Sequence, residues 1–436
     1  MDPLLIASLG TVGMFLLIGL HIPIGIAMAI SGFVGFGLLV GWQPAVTLLS
    51  SGPVAVFSNL DLAVIPLFLL MGSLAGVSGL SSDIYRVAYA MIGHRQGGLA
   101  LATVAGCAGF SAICGSSIAT AATMGRVALP EMLKRGYSPE LATGTIAAGG
   151  TLGILIPPSL VMVIYAFLTE QFVITLFVAA VIPALIAVVA HMLAVQAVVW
   201  RNPEAGPAGD RTTWGERLIV FKQCWGVIVL LVCVIVSIYG GIFTVNEAAS
   251  LGAGLAFAFT VARGKLNWRT LAHVARETAT NTGLLYLIIA GASVFSTFLA
   301  VTKMPEVLVT QITTWDFPPL AVIFVLIAIY IVLGAVFDEL AAMVITLPFV
   351  LPLITGMGYD PVWWGIIMVI TIEIGLIAPP IGMNVFVLYG IAETIPLRTI
   401  YQGIVPFFFA ELACIVVLIL FPELVLWLPR VGGYLK

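Results

Sequence analysis

The sequence predicts an all-α polytopic membrane protein built from an inverted repeat, with two re-entrant helical hairpins and two broken helices. Three observations carry that prediction. Of 436 residues, 61% are hydrophobic and only 8% are charged, against roughly 25% charged in a soluble domain. The apolar residues gather into about a dozen runs. Helix-breaking motifs of the first half recur in the second at a constant spacing.

The composition excludes a soluble fold, because no soluble core of this size hides so much apolar surface; the bilayer must be the solvent. Apolar runs fall near 4–20, 22–40, 62–79, 97–133, 141–168, 172–200, 224–239, 248–262, 281–301, 319–353, 362–390 and 403–428. At about 20 residues per span, roughly ten to twelve crossings fit. The runs are continuous and lack the ten-residue alternation of outer-membrane strands, so they read as helices. A less apolar stretch near 43–60 suits an interface. The first run starts at Leu4 without a basic segment before it, so no cleavable signal is expected. A net charge of −3, thinly spread, argues against a nucleic-acid partner. The five cysteines lie in apolar stretches without metal spacing and read as packing residues.

Basic residues set the orientation. Arg86, Arg95, Arg126, Lys134 and Arg135, the segment Arg201 to Lys222, the segment Arg263 to Arg276, and Arg398 take the cytoplasmic side. The run 97–133 is long enough to cross twice, yet both ends are basic. It is therefore expected to enter and leave on the cytoplasmic side as a hairpin. The run 319–353, flanked by Lys303, Asp316 and Asp360, is expected to enter from the opposite face.

Three matches define the repeat. Leu129-Pro130 pairs with Leu351-Pro352. Gly136-Tyr137-Ser138-Pro139 pairs with Gly358-Tyr359-Asp360-Pro361. The third pairs Gly153-Ile154-Leu155-Ile156-Pro157-Pro158 with Gly375-Leu376-Ile377-Ala378-Pro379-Pro380. All share an offset of 222 residues without gaps. The implied division is 1–222 and 223–436. The first half holds a hairpin near 97–133, a broken helix near 139–169 and a long cytoplasmic loop 201–222. The second holds a hairpin near 318–353, a broken helix near 361–390 and a C-terminal helix. Inverted repeats of this kind build many secondary transporters.

A Pro-Pro pair removes backbone donors and breaks a membrane helix. The freed carbonyls can ligate a hard cation such as sodium, and freed N–H groups can hold an anion. The hairpin tips are natural partners. Gly115, Ser116 and Ser117 interrupt the first run with a turn and two hydroxyls; the offset places Asp338 and Glu339 at the second tip. Mid-membrane carboxylates are costly and point to function. The serines could instead bond back to the i−4 carbonyl, and Asp338 could be a paired structural charge. Glu373 reads as a ligand or a helix–helix hydrogen bond, and Asn384 as cavity-facing. His21 and His191 read as interfacial histidines, and Glu411 as partnered by another helix or subunit. Asn246 and Glu247 suit a helix start. Tryptophans 200, 214, 268, 315, 363, 364 and 427 read as interfacial anchors. GxSxG, HExxH and Walker sequences are absent, so neither those enzyme classes nor ATP hydrolysis is expected.

The stretches Gly109 to Gln171, Gly334 to Gly365 and Ile374 to Ala392 closely resemble the large membrane subunit of tripartite ATP-independent periplasmic (TRAP) transporters. The resemblance covers essentially the whole chain. It implies a sodium-coupled elevator in the bacterial inner membrane, with hairpins and broken helices moving against a scaffold. It implies a small four-helix membrane subunit and a periplasmic substrate-binding protein that delivers an organic acid. It places one sodium site at Gly115, Ser116, Ser117, Thr151 and Gly153, and the other at Asp338, Glu373, Gly375 and Ala378. Some members carry Thr in place of Ala378, so no side-chain oxygen is expected there. The substrate would lie between the sites, by Pro157, Pro158, Ser159, Pro379, Pro380 and Asn384. A stand-alone ion-coupled carrier of the same architecture is the alternative, and a membrane enzyme using Asp338 and Glu339 the remote one.

Overall fold

A computed structural model describes residues 2–314 and 317–435. Trp315, Asp316 and Lys436, used above as an anchor and flanking charges, lie outside the described residues. Among the described residues there are helices and no strands. Among the described residues eight helices are long and apolar enough to cross a membrane, or nine if Trp214–Gln223 and Trp225–Tyr239, bent by 64°, form one span.

Each element follows from local chemistry. The first hairpin comprises Gly98–Cys114 and Ser117–Lys134; the second comprises Pro319–Val336 and Glu339–Gly356. Ser116 and Asp338 cap the second arms, their side chains accepting from the N–H of Ala119 (3.5 Å) and Ala341 (2.7 Å). The broken helices are Pro139–Leu155 with Leu160–Leu168, and Pro361–Ile377 with Met383–Ile391. Ser138 and Asp360 cap them immediately before a first-turn proline. The peptide bonds Pro157–Pro158 and Pro379–Pro380 are both cis.

The offset extends beyond the motifs. Helices Pro3–Gly19, Ile24–Val40 and Val173–Arg201 have counterparts Trp225–Tyr239, Val245–Ala262 and Leu397–Leu420, starting within two residues of 222 positions later. One element departs. Trp268–Thr302 runs unbroken for 35 residues, whereas its counterpart splits into Trp42–Phe57 and Val64–Ser78. Asn59 makes the split by accepting from the Asp61 N–H at 2.8 Å, an Asx turn that competes with the helix.

Several expectations are corrected. Trp363 and Trp364 are not interfacial anchors: they are 1% and 0% exposed, and Trp363 Nε1 donates to the Leu418 carbonyl at 3.3 Å. Trp200, Trp214, Trp268 and Trp427 are exposed, as expected. The segment 201–222 is not all loop, because Thr213 and Glu216 form a capping box that starts the helix Trp214–Gln223. Helices Leu80–Ile92 and Met304–Thr314 are additional; they carry too many polar residues to stand out as apolar runs. At 245 the capping pair is Thr244 and Glu247, while Asn246 donates to the Leu60 carbonyl.

Without a hydrophobic drive between helices in lipid, close packing depends on small residues. Helices 139–155 and 397–420 cross where Gly144 and Gly403 meet. A Cβ on either would collide with backbone, that of Gly403 or of Glu140. Two turns further along, this contact brings Thr151 beside Glu411.

Candidate functional site

At the first tip the backbone itself is the building material. Gly115 ends its helix with φ +60°, and a Cβ there would stand 2.6 Å from the Pro158 carbonyl oxygen. Only glycine meets both conditions without strain. The Leu160 N–H points at the Gly115 carbonyl at 3.5 Å. A Cβ on Gly153 would lie 2.5 Å from the Ser116 carbonyl oxygen. Gly115, Ser116 and Gly153 are thus brought together where the tip presses on the break; the Ser116 carbonyl also accepts from the Thr120 N–H at 3.1 Å and the Thr120 hydroxyl at 2.8 Å.

The hydroxyls are disposed less simply. Ser117 is fully buried, and its hydroxyl donates to Asn384 Oδ1 at 3.1 Å. Asn384 Nδ2 also lies 2.7 Å from that hydroxyl and donates to the Ala147 carbonyl at 3.1 Å. Asn384, expected to face a cavity, is therefore 0% exposed and ties the second broken helix to the first tip. The Thr151 hydroxyl turns away from the tip. It lies 2.7 Å from the Ala148 carbonyl and 2.8 Å from Glu411 Oε1. Any part Thr151 plays at the tip falls to its backbone. Ser159, also expected at the cavity, spans the break: its hydroxyl donates to the Ile154 carbonyl at 2.5 Å and accepts from the Met162 N–H.

The second tip uses the same frame with other chemistry. Asp338 follows the extended Phe337 and spends Oδ1 on its cap, leaving Oδ2 for other work. A Cβ on Gly375 would stand 2.6 Å from Gly334 Cα, so this break presses on the first arm of its hairpin. The Gly382 N–H donates to the Ala335 carbonyl at 3.2 Å. Ala378 is extended, and its N–H donates to the Gly375 carbonyl at 3.0 Å. Pro379 and Pro380 are exposed, whereas Pro157 and Pro158 are buried. The structure therefore does not gather all six expected cavity residues on one surface.

A polar cavity of about 650 Å³ reaches the first tip instead, between that hairpin and helices 64–78 and 268–302. Ser116, Ser73, Thr123, Arg126, Lys265 and Asn281 line it. The sequence uses Arg126 and Lys265 for orientation only; their place in the lining of a cavity that reaches the tip depends on the tertiary packing.

One further expectation is corrected and one is met. His191 is 0% exposed, not interfacial, and its Nε2 lies 2.9 Å from Glu411 Oε1. Both sit mid-helix, so a charged residue far from either end of its span was the available signal. Glu411 pairs with a helix of its own chain. Among the described residues, no three His, Cys, Asp or Glu side chains converge as metal ligands.

Residues 11–424 match the family model described as "Tripartite ATP-independent periplasmic transporter, DctM component". The "C4-dicarboxylate TRAP transporter large permease protein DctM" of Vibrio cholerae is 32% identical over 95% of this chain and 96% of its own length. The "Ectoine TRAP transporter large permease protein TeaC" of Halomonas elongata is 28% identical over 94% and 95%. The crystal structure of the Alcanivorax borkumensis YdaH transporter, described as having an unusual topology, matches over 89% of both chains with a TM-score of 0.61. At 16% identity that likeness speaks to the fold alone. The chain belongs to the DctM component family of tripartite ATP-independent periplasmic transporters: it is a multi-pass inner-membrane transport permease and not an enzyme.

Proposed function

We propose that this permease takes up an anionic organic solute with sodium, one ion binding at each meeting of hairpin tip and broken helix. The supporting observation is the pair of close backbone contacts, Gly153 on Ser116 and Gly375 on Gly334, beside the capping oxygens of Ser116 and Asp338. Neutral carbonyls and hydroxyls suit a singly charged hard cation, and Asp338 adds one formal charge at the second site. Arg126 and Lys265, against the single acid Glu277, line the same cavity as Ser116 and favour an anionic solute there. Relatives named for a C4-dicarboxylate and for ectoine leave an organic acid as the class and its identity to the cavity side chains.

In this reading the two halves have opposite orientation in the membrane. Hairpins and broken helices travel together against a scaffold containing Pro3–Gly19, Ile24–Val40 and Trp268–Thr302. A small four-helix subunit enlarges that scaffold, and a periplasmic binding protein hands over the solute, as the three-part family description suggests. The test is uptake into proteoliposomes with both partners present. Asp338→Ala and Ser116→Ala are expected to raise the sodium concentration needed for half-maximal uptake. Unchanged sodium dependence in both would remove the two sites, and full uptake by the purified chain alone would replace the three-part reading with a stand-alone carrier.

A further inference from the structure

Helix Trp214–Gln223 has no buried residue, although it leads straight into the span Trp225–Tyr239. One side of it faces the protein: Arg217 and Val220 are half-buried, and Cys224, which ends it, is buried. A neighbouring side carries an apolar stripe at spacings of four, three and four residues. Its members Trp214, Leu218, Phe221 and Trp225 are exposed by 73%, 58%, 53% and 58%. Glu216 and Gln223 lie on the side opposite the stripe.

Two features say what covers the stripe. The span 225–239 has 15 residues, roughly 22 Å of helix against about 30 Å of hydrocarbon. With its other end at the far boundary, it starts inside the edge of the apolar layer. The chain bends by 64° at that start, so the preceding helix turns from the span direction toward the membrane plane. The second feature is charge. Over 211–223, Arg211, Arg217 and Lys222 stand against one acid, Glu216. Ion pairs among the described residues involve none of the three. Arg217 lies over the Trp214 ring, 5.0 Å from its centroid, so a cation borders the stripe. Anionic phospholipid in the cytoplasmic leaflet fits both the apolar face and the basic residues.

The same segment is strapped to the approach of the first hairpin. The Thr212 hydroxyl donates to the Ala90 carbonyl at 2.7 Å, and the Gly209 N–H to the Gly93 carbonyl at 3.1 Å. Arg86 Nη2 donates to Gln223 Oε1 at 3.2 Å. These partners belong to helix 80–92 and its end, which lead into the hairpin. Asp210 meets Arg135, at the end of the hairpin's second arm, at 3.4 Å.

We infer that helix 214–223 is a lipid-binding element lying in the cytoplasmic membrane interface. Its stripe enters the acyl boundary, its basic residues hold anionic headgroups, and residues 209–212 tie the approach to the first hairpin to that surface. Tryptophan fluorescence of the purified full chain in nanodiscs tests this without sodium or solute, so its failure would leave the sodium reading standing. The emission lost on Trp214→Phe isolates Trp214. It should be quenched by phospholipids brominated on their acyl chains and not by aqueous iodide. As a minor component of the bilayer, brominated phosphatidylglycerol should quench it about twofold more than brominated phosphatidylcholine. Arg211→Gln combined with Lys222→Gln should erase that excess. The emission gained by Leu218→Trp in the otherwise unaltered chain should behave alike, and it carries the test should Trp214→Phe not purify folded. Quenching by iodide, protection from both quenchers, or equal quenching by the two lipids would overturn the proposal. Loss of lipid quenching on adding the small membrane subunit would overturn it too, by assigning the stripe to that protein.

Discussion

The two breaks share a frame and differ in what fills it. Helix starts repeat at 222 residues, both tips have an oxygen-bearing cap, and both breaks press a glycine on a hairpin backbone. Within that frame the first break is neutral and closed: Ser116, Ser117, Thr151 and Ser159, with buried prolines. The second is acidic and partly open: Asp338, Glu339, Glu373 and Ile381, with exposed prolines. Backbone geometry thus survives duplication where side chains diverge. A cation held mainly by carbonyls tolerates that divergence in a way that a side-chain metal site would not.

The largest effect is expected at Gly115, where the halves differ in backbone conformation. Alanine there must take φ +60° and stand 2.6 Å from the Pro158 oxygen. The left-handed conformation alone costs about 1–2 kcal/mol, and the collision pushes tip and break apart. Gly115→Ala should reduce uptake at least about tenfold. Phe337, its extended counterpart, should accept leucine with uptake within about a factor of two to three. Equal losses in proteoliposome assays would mean that both tips depend on packing alone.

Next comes charge. Asp338→Asn keeps an acceptor for the Ala341 N–H, so the cap stays while the formal charge goes. The sodium concentration for half-maximal uptake should rise by about tenfold, a loss of about 1.4 kcal/mol in binding. Ser116→Ala, which removes only a neutral oxygen and a long 3.5 Å cap, should shift it by less. A larger shift for Ser116→Ala would reverse the assignment of the stronger site.

This contrast also marks what could be read from the residues alone. Proline pairs, the glycine of the first tip and the caps are local chemistry, so the helix ends at both tips and both breaks fall within a few residues of those the sequence predicts. Orientation of side chains around a helix is not local. Thr151 is one step along from Gly150, yet it turns to Glu411 while Gly150 packs on Ala121. Asn384 reaches a hairpin 267 positions earlier in the chain. The His191–Glu411 pair joins residues without counterparts under the repeat, so nothing in the motif spacing linked them. Trp363 and Trp364 were misplaced for a related reason: interfacial tryptophan is a tendency of spans that face lipid, and helix 361–377 is buried on all sides.

Asn384 offers a stability comparison. Its replacement by leucine leaves the Ser117 hydroxyl and the Ala147 carbonyl without their shared partner, which should cost about 1–3 kcal/mol and lower the melting temperature of the detergent-purified chain. Met162, at the equivalent place in the first half, is buried among apolar neighbours. Met162→Leu should change stability by less than about 1.5 kcal/mol. Similar losses at both positions would show that Asn384 acts by volume and not by its hydrogen bonds.

The smallest effect concerns the loop that closes each break. Ser159 joins the two half-helices, giving its proton to the Ile154 carbonyl and accepting from the Met162 N–H. Ile381 at the matching position has no hydroxyl and is exposed; Gly382 instead reaches across to the Ala335 carbonyl. Ser159→Ala should therefore cost about 0.5–2 kcal/mol, the usual range for a lost cap, and should raise amide exchange at Met162 without changing sodium affinity. Ile381→Ala should leave exchange at Met383 as it was. If both loops respond alike, the first break is held not by its serine but by the burial of Pro157 and Pro158.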